Sequence, residues 1–388
     1  MPIKILSVDD EPDLELLLKQ HFRKKIRAGQ YEILFASSGL EALEKLYVDK
    51  TIDIVLTDIN MPGIDGLELL EKINVMNRPS LKTLVVSAYS DMENIRTAMN
   101  RGAFDFITKP IDLDDLELTI EKTIRQTEIS KKSISDRKQL MEIQQELDLA
   151  RKLQFSLLPD KYPPFPGVSD VDIFGAMKPA LNVGGDLFDY FFIDDNHLGF
   201  FIGDISGKGV PAALFMAMSR SIIRSNAMRG LNPGKCMEES NRQILDAGKD
   251  SMFITLFYGI LNIKNGNLAY CSAGHELPYL VPTCGGVTRL TSTGNAALGA
   301  MENVNYNTAE IPLNRGETIF MYTDGLIEAL NDDEDAYGRE NLERALENNI
   351  DQPVKNITEI VFSDVDQFTG GTAQFDDITL VALRYNKR

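Results

Sequence analysis

Long apolar runs are missing from this 388-residue chain: none approaches the ~18 residues of a membrane-spanning helix. Positive charge is also short. Lys and Arg number 40 against 58 Asp and Glu, for a formal net charge of −18. That argues against nucleic acid or an anionic membrane surface as the main partner, because both select basic patches. It leans towards cations or basic proteins. Cysteine is limited to Cys236, Cys271 and Cys284, with no CxxC spacing, which fits a reducing compartment rather than a disulfide framework. The first residues, MPIKILSVDDEPD, reach acids too soon for a signal peptide. A cytoplasmic protein is expected, with no nucleic-acid and no membrane partner. The length suggests two or three domains.

Residues 3–125 alternate short apolar runs with helical patterns. IKILSV, YEILFA, IDIVLTDI, KTLVVSA and AFDFITK are strand-like, and GLEALEKLYV and DMENIRTAMNRG are among the helical stretches between them. Five strands alternating with helices predict an α/β unit with a five-stranded parallel sheet covered on both faces. In such sheets the site lies beyond the carboxyl ends of the strands. Asp9 and Asp10 end the first strand, Asp58 the third, Ser87 the fourth and Lys109 the fifth. Three crowded carboxylates call for a hard cation such as Mg2+. Lys109 and Ser87 suit a phosphoryl group, and a carboxylate beside them can act as its nucleophilic acceptor.

The motifs VDDEP, DINMPGIDG, VVSAYSD and GAFDFITKP together resemble the receiver domain of two-component response regulators, of the flavodoxin-like fold. The resemblance covers residues 1–125. It implies Asp58 as phosphoacceptor, Asp9 and Asp10 as the acid pair holding Mg2+ with Asp58, and the Asn60 carbonyl as a further ligand. It also implies Ser87 and Phe106 as the switch hydroxyl and aromatic, with Lys109 completing the switch set. Tyr89 would gate access, and a sensor histidine kinase would be the phosphodonor.

From Leu113 to Leu158 there is neither proline nor glycine. Leu140, Ile143, Leu147, Ala150 and Leu157 recur in steps of three and four, with the polar Gln154 in the same stripe, nearly a heptad seam. LLPDKYPPFPG ends the pattern. One long helix leaving the first domain is expected, with residues 126–158 as a linker that pairs in a homodimeric coiled coil. The competing reading packs this helix on its own chain.

Beyond Gly167, strand-like runs follow in quick succession, some joined by tight turns such as DDNH and KNGN, with helices expected near 209–229, 233–247, 339–348 and 353–368. Strands in runs and helices in runs predict an α+β domain of packed antiparallel sheets. Asp186, Asp204, Asp324 and Asp376 sit at strand ends beside apolar runs. A buried, unpaired carboxylate costs several kcal/mol or takes up a proton. Separated acids without a Cys or His cluster point to an oxygen-only site for Mg2+ or Mn2+.

VGGDLFDYF, IGDISGKGVPAALFMA, MFITLFYG, SAGHELPYL, MYTDGLIEA and FDDITLVAL resemble the bacterial PPM-type protein serine/threonine phosphatases of the RsbU/SpoIIE kind. The domain spans 159–388, and the match extends back to ELDLARKLQFSLLP at about residue 150. The resemblance implies a β-sandwich flanked by helices holding two Mn2+ or Mg2+ ions. Asp204 would bridge the two and Ile205 would lend a backbone carbonyl. Asp324 and Asp376 would complete one ion, and Asp186 would serve the second. Asp189 and Asp377 are expected in the outer shell. The nucleophile would be an ion-activated water rather than a side chain. His275, in AGHELP, invites a general-acid role, but a lone histidine at a strand end is more often structural. Lys208, in SGKG, reads as a loop or substrate contact rather than a ligand. No arginine dedicated to substrate phosphate is visible. The expected function is a response regulator whose output dephosphorylates a phosphoserine or phosphothreonine protein, the resemblance pointing to a STAS-type anti-sigma-factor antagonist. The rival is a non-catalytic adaptor of the same fold that holds a regulatory protein. The complete acid set argues against it.

Overall fold

The structure, a computed structural model, describes residues 2–88, 92–247 and 252–387. The chain divides into two compact units, one up to Ile143 and one from Gln144. The first runs β1 (Ile3–Val8), α1 (Pro12–His21), α2 (Arg23–Arg27), β2 (Tyr31–Ala36), α3 (Gly39–Val48), β3 (Ile54–Asp58), α4 (Gly66–Val75), β4 (Lys82–Ala88), α5 (Met92–Asn100) and β5 (Asp105–Lys109). The sheet order is β2-β1-β3-β4-β5, every pair parallel. Alternation along the strands feeds two cores. Leu6, Val8 and Val55 pack with α3 and α4, while Ile5, Ile54 and Leu56 pack with Leu18 and Phe22. A parallel sheet sends every strand's carboxyl end to one edge, and β1, β3 and β4 are neighbours there. Asp65 caps α4 by accepting from the Glu68 N–H at 2.7 Å, which fixes the turn that follows Asp58.

Helix α6 runs unbroken from Leu113 to Leu157. Its first turns belong to the first unit. Leu116 and Ile120 enter the core with Ile5 and Phe22, Glu117 pairs with Lys25 at 2.6 Å, and Lys131 ion-pairs with buried Asp53. Its last turns belong to the second unit. Among the described residues no helix is long and apolar enough to cross a membrane.

The second unit contains β6 (Val171–Lys178), β7 (Leu187–Asp194), β8 (His197–Ile205), α7 (Val210–Ala227), α8 (Pro233–Ala247), β9 (Ile254–Asn262), β10 (Asn267–Ala273), β11 (Tyr279–Val281), β12 (Thr288–Arg289), β13 (Ala309–Pro312), β14 (Thr318–Tyr322), α9 (Asp324–Ile327), α10 (Gly338–Glu347), α11 (Val354–Thr369) and β15 (Ile378–Tyr385). Two five-stranded antiparallel sheets, β13-β10-β9-β8-β7 and β12-β11-β14-β15-β6, form a sandwich. Phe188, Tyr190, Phe200 and Ile202 meet Ile319, Met321, Val381 and Leu383 between them. Helices α7 and α8 cover one outer face through Phe215, Met216 and Met237, and α10 and α11 cover the other through Leu342, Ile357 and Val361. The four helices fall close to where the sequence pattern places them.

The period-2 rule now places the acids. Phe188 and Ile202 face the inner core, so Asp186 and Asp204 share their side. On β14 and β15, Met321 and Val381 face inward, so Thr323 and Thr379 do too. The register Leu187↔Gly203 puts Asp186 opposite Asp204 one step on, and Tyr322↔Leu380 does the same for Thr323 and Thr379. Both sheets thus carry polar groups to one end of the inner layer.

Candidate functional sites

In the first unit, Asp9, Asp10 and Asp58 place one carboxylate oxygen each within 4.8 Å of one another, and among the described residues no other acid, histidine or cysteine group is gathered so tightly. Lys109 Nζ lies 2.6 Å from Asp58 Oδ2 and 3.5 Å from Asp9 Oδ2. Burial pushes Lys109 down, but the Asp58 and Asp9 charges outweigh it and leave it raised. Burial also lifts Asp9, against the pull of Lys109. The Asn60 N–H reaches Asp58 Oδ1 at 3.3 Å. Ser87 Oγ, on β4 opposite Thr108 of β5, is fully buried and has no hydrogen-bond partner among the described residues, so one hydroxyl there is left to be satisfied. Phe106 is half-buried on β5 opposite Val85. Tyr89, the expected gate, lies outside the described residues. Three acids against one ammonium, with oxygen donors throughout, suit a hard divalent ion.

In the second unit the acids are strung together rather than clustered. Asp186, 1% exposed, accepts from Thr379 Oγ1 at 2.6 Å and Thr323 Oγ1 at 2.8 Å. Burial pushes its carboxyl well above the usual range, and the charges of Asp204 and Asp377 add to this. Asp204 is raised by burial and then by Asp324 and Asp376, while a hydrogen bond shared with Asp186 opposes the shift. Asp324, first residue of α9 rather than last of β14, is raised by burial and by Asp376. Ile205 turns its side chain into the helix-side core. Its carbonyl lies 3.1 Å from where a Cβ on Gly185 would stand. Three carboxyls raised by burial and by neighbouring acids, Asp376 being one of those neighbours, with no sulfur or imidazole among them, fit hard divalent cations.

Two family matches cover most of this architecture. Residues 5–121 match the Response regulator receiver domain, and residues 194–386 match Stage II sporulation protein E (SpoIIE). Sporulation initiation phosphotransferase F of Bacillus subtilis is 31% identical over 119 residues, which cover 31% of this chain and 91% of that protein. This chain joins a response-regulator receiver to a SpoIIE-family, PPM-type phosphatase domain. Protein IcfG of Synechocystis is 32% identical over 268 residues, 62% of this chain but 42% of IcfG. Phosphoserine phosphatase RsbU of Bacillus subtilis is 27% identical over 243 residues, 63% of this chain and 71% of RsbU. The solved SiaA-PP2C domain of Pseudomonas aeruginosa shares the fold, with a TM-score of 0.57 at 23% identity over 64% of this chain and 98% of that one.

The remaining acids of the phosphatase domain part company. Asp189 does not belong to the outer shell of this site. It lies three residues from Asp186 on a strand, so it faces the opposite side. There its Oδ2 meets Arg220 and Arg224 of α7, each at 2.7 Å. The two arginines stand four apart on one helix face, and they pin α7 to β7. Asp377 instead holds the loop that leads to Asp186. Its Oδ1 accepts from the Ala180 N–H at 2.8 Å and its Oδ2 from the Gly185 N–H at 2.6 Å. A Cβ at Gly184 would stand 2.3 Å from that same Oδ2, so glycine is needed for the approach.

His275 is buried, and burial holds its imidazole down to about 4. Its Nδ1 lies 2.9 Å from Thr255 Oγ1, and Thr255 pairs with Asp204 across β8 and β9. An imidazole that is neutral at pH 7 keeps one N–H but is a far weaker general acid than an imidazolium. His275→Asn should therefore keep kcat within about tenfold of wild type, where loss of a general acid costs roughly 10²–10⁴. Because the folded pKa is depressed, this group favours folding above the unfolded value near 6.5. That contribution fades as pH falls towards 4. The wild-type melting temperature should drop over that window and the variant's should drop less.

Sequence reasoning missed three partners. Thr323 and Thr379 hold Asp186, and their signal was strand parity. The third is Gln154, 5% exposed. Its Nε2 donates to the Gly184 carbonyl at 2.6 Å and its Oε1 accepts from the Gly184 N–H at 3.1 Å. The polar residue in the apolar stripe is a clamp on the loop that carries Asp186.

Proposed function

We propose that this protein is a two-component response regulator whose output is divalent-ion-dependent dephosphorylation of a phosphoserine or phosphothreonine protein. A sensor histidine kinase would supply the phosphoryl group to Asp58. The substrate would be a phosphorylated STAS-type anti-sigma-factor antagonist in partner switching, as the likeness to RsbU suggests. The observation that carries the reading is the end of the sandwich, where burial and neighbouring acid charge raise Asp186, Asp204 and Asp324, with Asp376 among the charges acting on the last two and no histidine or cysteine in the set.

In the receiver, Asp9, Asp10, Asp58 and the Asn60 carbonyl would hold Mg2+. In the phosphatase domain, Asp204 would be shared by two Mn2+ or Mg2+ ions, with the Ile205 carbonyl, Asp324, Asp376 and Asp186 around them. Bound there, the ions would activate water and neutralise the phosphoryl oxygens. The chain's own part is positional. Thr323 and Thr379 orient Asp186, Asp377 braces the loop before it, and β8 and β9 hold Asp204 in register. The test is release of phosphate from a phosphorylated STAS-type antagonist in Mn2+, with and without acetyl phosphate or beryllofluoride. No turnover above that of Asp204→Ala would defeat the enzymatic reading.

Helix α6 is the element that could carry the signal. In the apolar stripe Leu140 is 67% exposed, Ile143 and Leu157 are exposed as well, and Leu147 and Ala150 are half-buried. A second copy of α6 would cover this face in a coiled-coil homodimer. At its far end, Gln154 grips Gly184. Gln154→Leu keeps the volume but strands a buried N–H and C=O, at about 1–3 kcal/mol for each unsatisfied group. The expected result is a kcat lower by about tenfold, and loss of any response to receiver phosphorylation in the same assay. An unchanged response would detach Gln154 from the signal.

A further inference from the structure

Both oxygens of Asp376 are engaged. Oδ1 accepts from the Asp377 N–H at 2.9 Å, and Oδ2 meets Lys208 Nζ at 3.1 Å. The same ammonium donates to the Phe375 carbonyl, so it is held by two groups at the mouth of the acid site. Its field also reaches Glu328 at that rim. Lys208 sits in the SGKG loop between β8 and α7, a few residues after Asp204. Gly207 and Gly209 on either side have φ of +102° and +78°. A side chain would not readily adopt those values, and no atom crowds the Cβ position of either glycine. The loop is therefore not packed in at either glycine.

We propose that Lys208 is a tethered cation that competes with the divalent ion for Asp376 and must leave before that carboxylate can complete the metal site. The inference rests on the reading of Asp376 as a metal ligand. An ammonium at this distance from the carboxylate would lie within a few ångströms of a bound dication, and the product of their charges makes the repulsion twice that of two unit charges. Asp376 cannot serve both fully. The glycine-flanked loop resolves the conflict by moving, so metal affinity is set partly by the pairing that Lys208 gives up. With the lysine as internal rival, weakly held or scarce ions are rejected, and the domain loads only where the ion outcompetes its own side chain.

The experiment is Mn2+ binding to the full chain by titration calorimetry. Every protein carries Asp10→Asn to silence the receiver's acid trio. Lys208→Met should bind Mn2+ about five- to tenfold more tightly, the size expected for losing a partly exposed charge contact. Lys208→Arg, which keeps the charge, should bind like the parent. Lys208→Gln repeats the neutral substitution should the methionine protein fail to fold. Equal or weaker binding by the neutral variants overturns the proposal and leaves the metal reading standing. Absence of Mn2+ binding in all of the chains overturns both.

Discussion

Asp204→Asn is expected to lower phosphoprotein hydrolysis in Mn2+ by about a thousandfold or more, since bound metal contributes several kcal/mol to such transition states. Its fold should survive. Asparagine has the same shape, and Asp204 is a position where charge is already disfavoured. Burial and the charges of Asp324 and Asp376 hold its carboxyl above the ordinary range. The folded protein thus retains a proton that the unfolded chain releases near pH 4. Stability from that proton is fully present at low pH and is lost as pH rises through the raised folded value. Without added divalent ion, wild type should melt at a lower temperature at pH 8 than at pH 5.5, and Asp204→Asn should flatten that trend. Saturating Mn2+ should raise the wild-type melting temperature, by about 2.7 kcal/mol of stabilisation at a hundred times Kd, and should add little to the variant. A variant that is inactive yet as stable as wild type without metal locates the loss in the site. A variant that still turns over at a tenth of the wild-type rate would remove Asp204 from the centre of the mechanism.

What the sequence disclosed depended on how far the geometry was local. In the receiver, five parallel strands must end on one edge, so Asp9, Asp10, Asp58, Ser87 and Lys109 could be assembled from order alone, and the structure brings them together. In the phosphatase domain the acids lie on antiparallel strands of two sheets. Strand-end position alone does not say which face a side chain takes. Asp186 and Asp189 look alike in VGGDLFDYF, yet one joins the acid string and the other joins Arg220 and Arg224. Counting the odd interval between them would have parted the two. Gln154 stood out as an interruption in a stripe, but its partner Gly184 is 30 residues away and is reached only through tertiary packing. The short strands β11 and β12 carry too few residues for alternation to register. Lys208 read as a loop or substrate contact, and its grip on Asp376 was not visible in the sequence.

Asp58→Asn should abolish phosphoryl uptake from acetyl phosphate, measured as labelled protein, and with it any effect of that donor on phosphatase rate. The carboxylate is almost wholly buried, and Lys109 Nζ stands 2.6 Å away. Asparagine fills the same space but offers no anionic oxygen to attack phosphorus, so the chemical step has no acceptor. The substitution also changes the charge balance. Asp9, Asp10 and Asp58 oppose Lys109, and the variant leaves two acids against one ammonium. It should bind Mg2+ more weakly, because ligand charge sets affinity for a hard cation. Without Mg2+ it should melt no lower than wild type, because one member of a repelling trio is gone. The phosphatase domain has its own acid string in a separate unit, so Mn2+-dependent turnover without donor should persist in the variant. Loss of that basal turnover would mean that Asp58 supports the phosphatase domain's fold rather than its control. Label incorporated into Asp58→Asn at wild-type levels would move the phosphoacceptor to another residue.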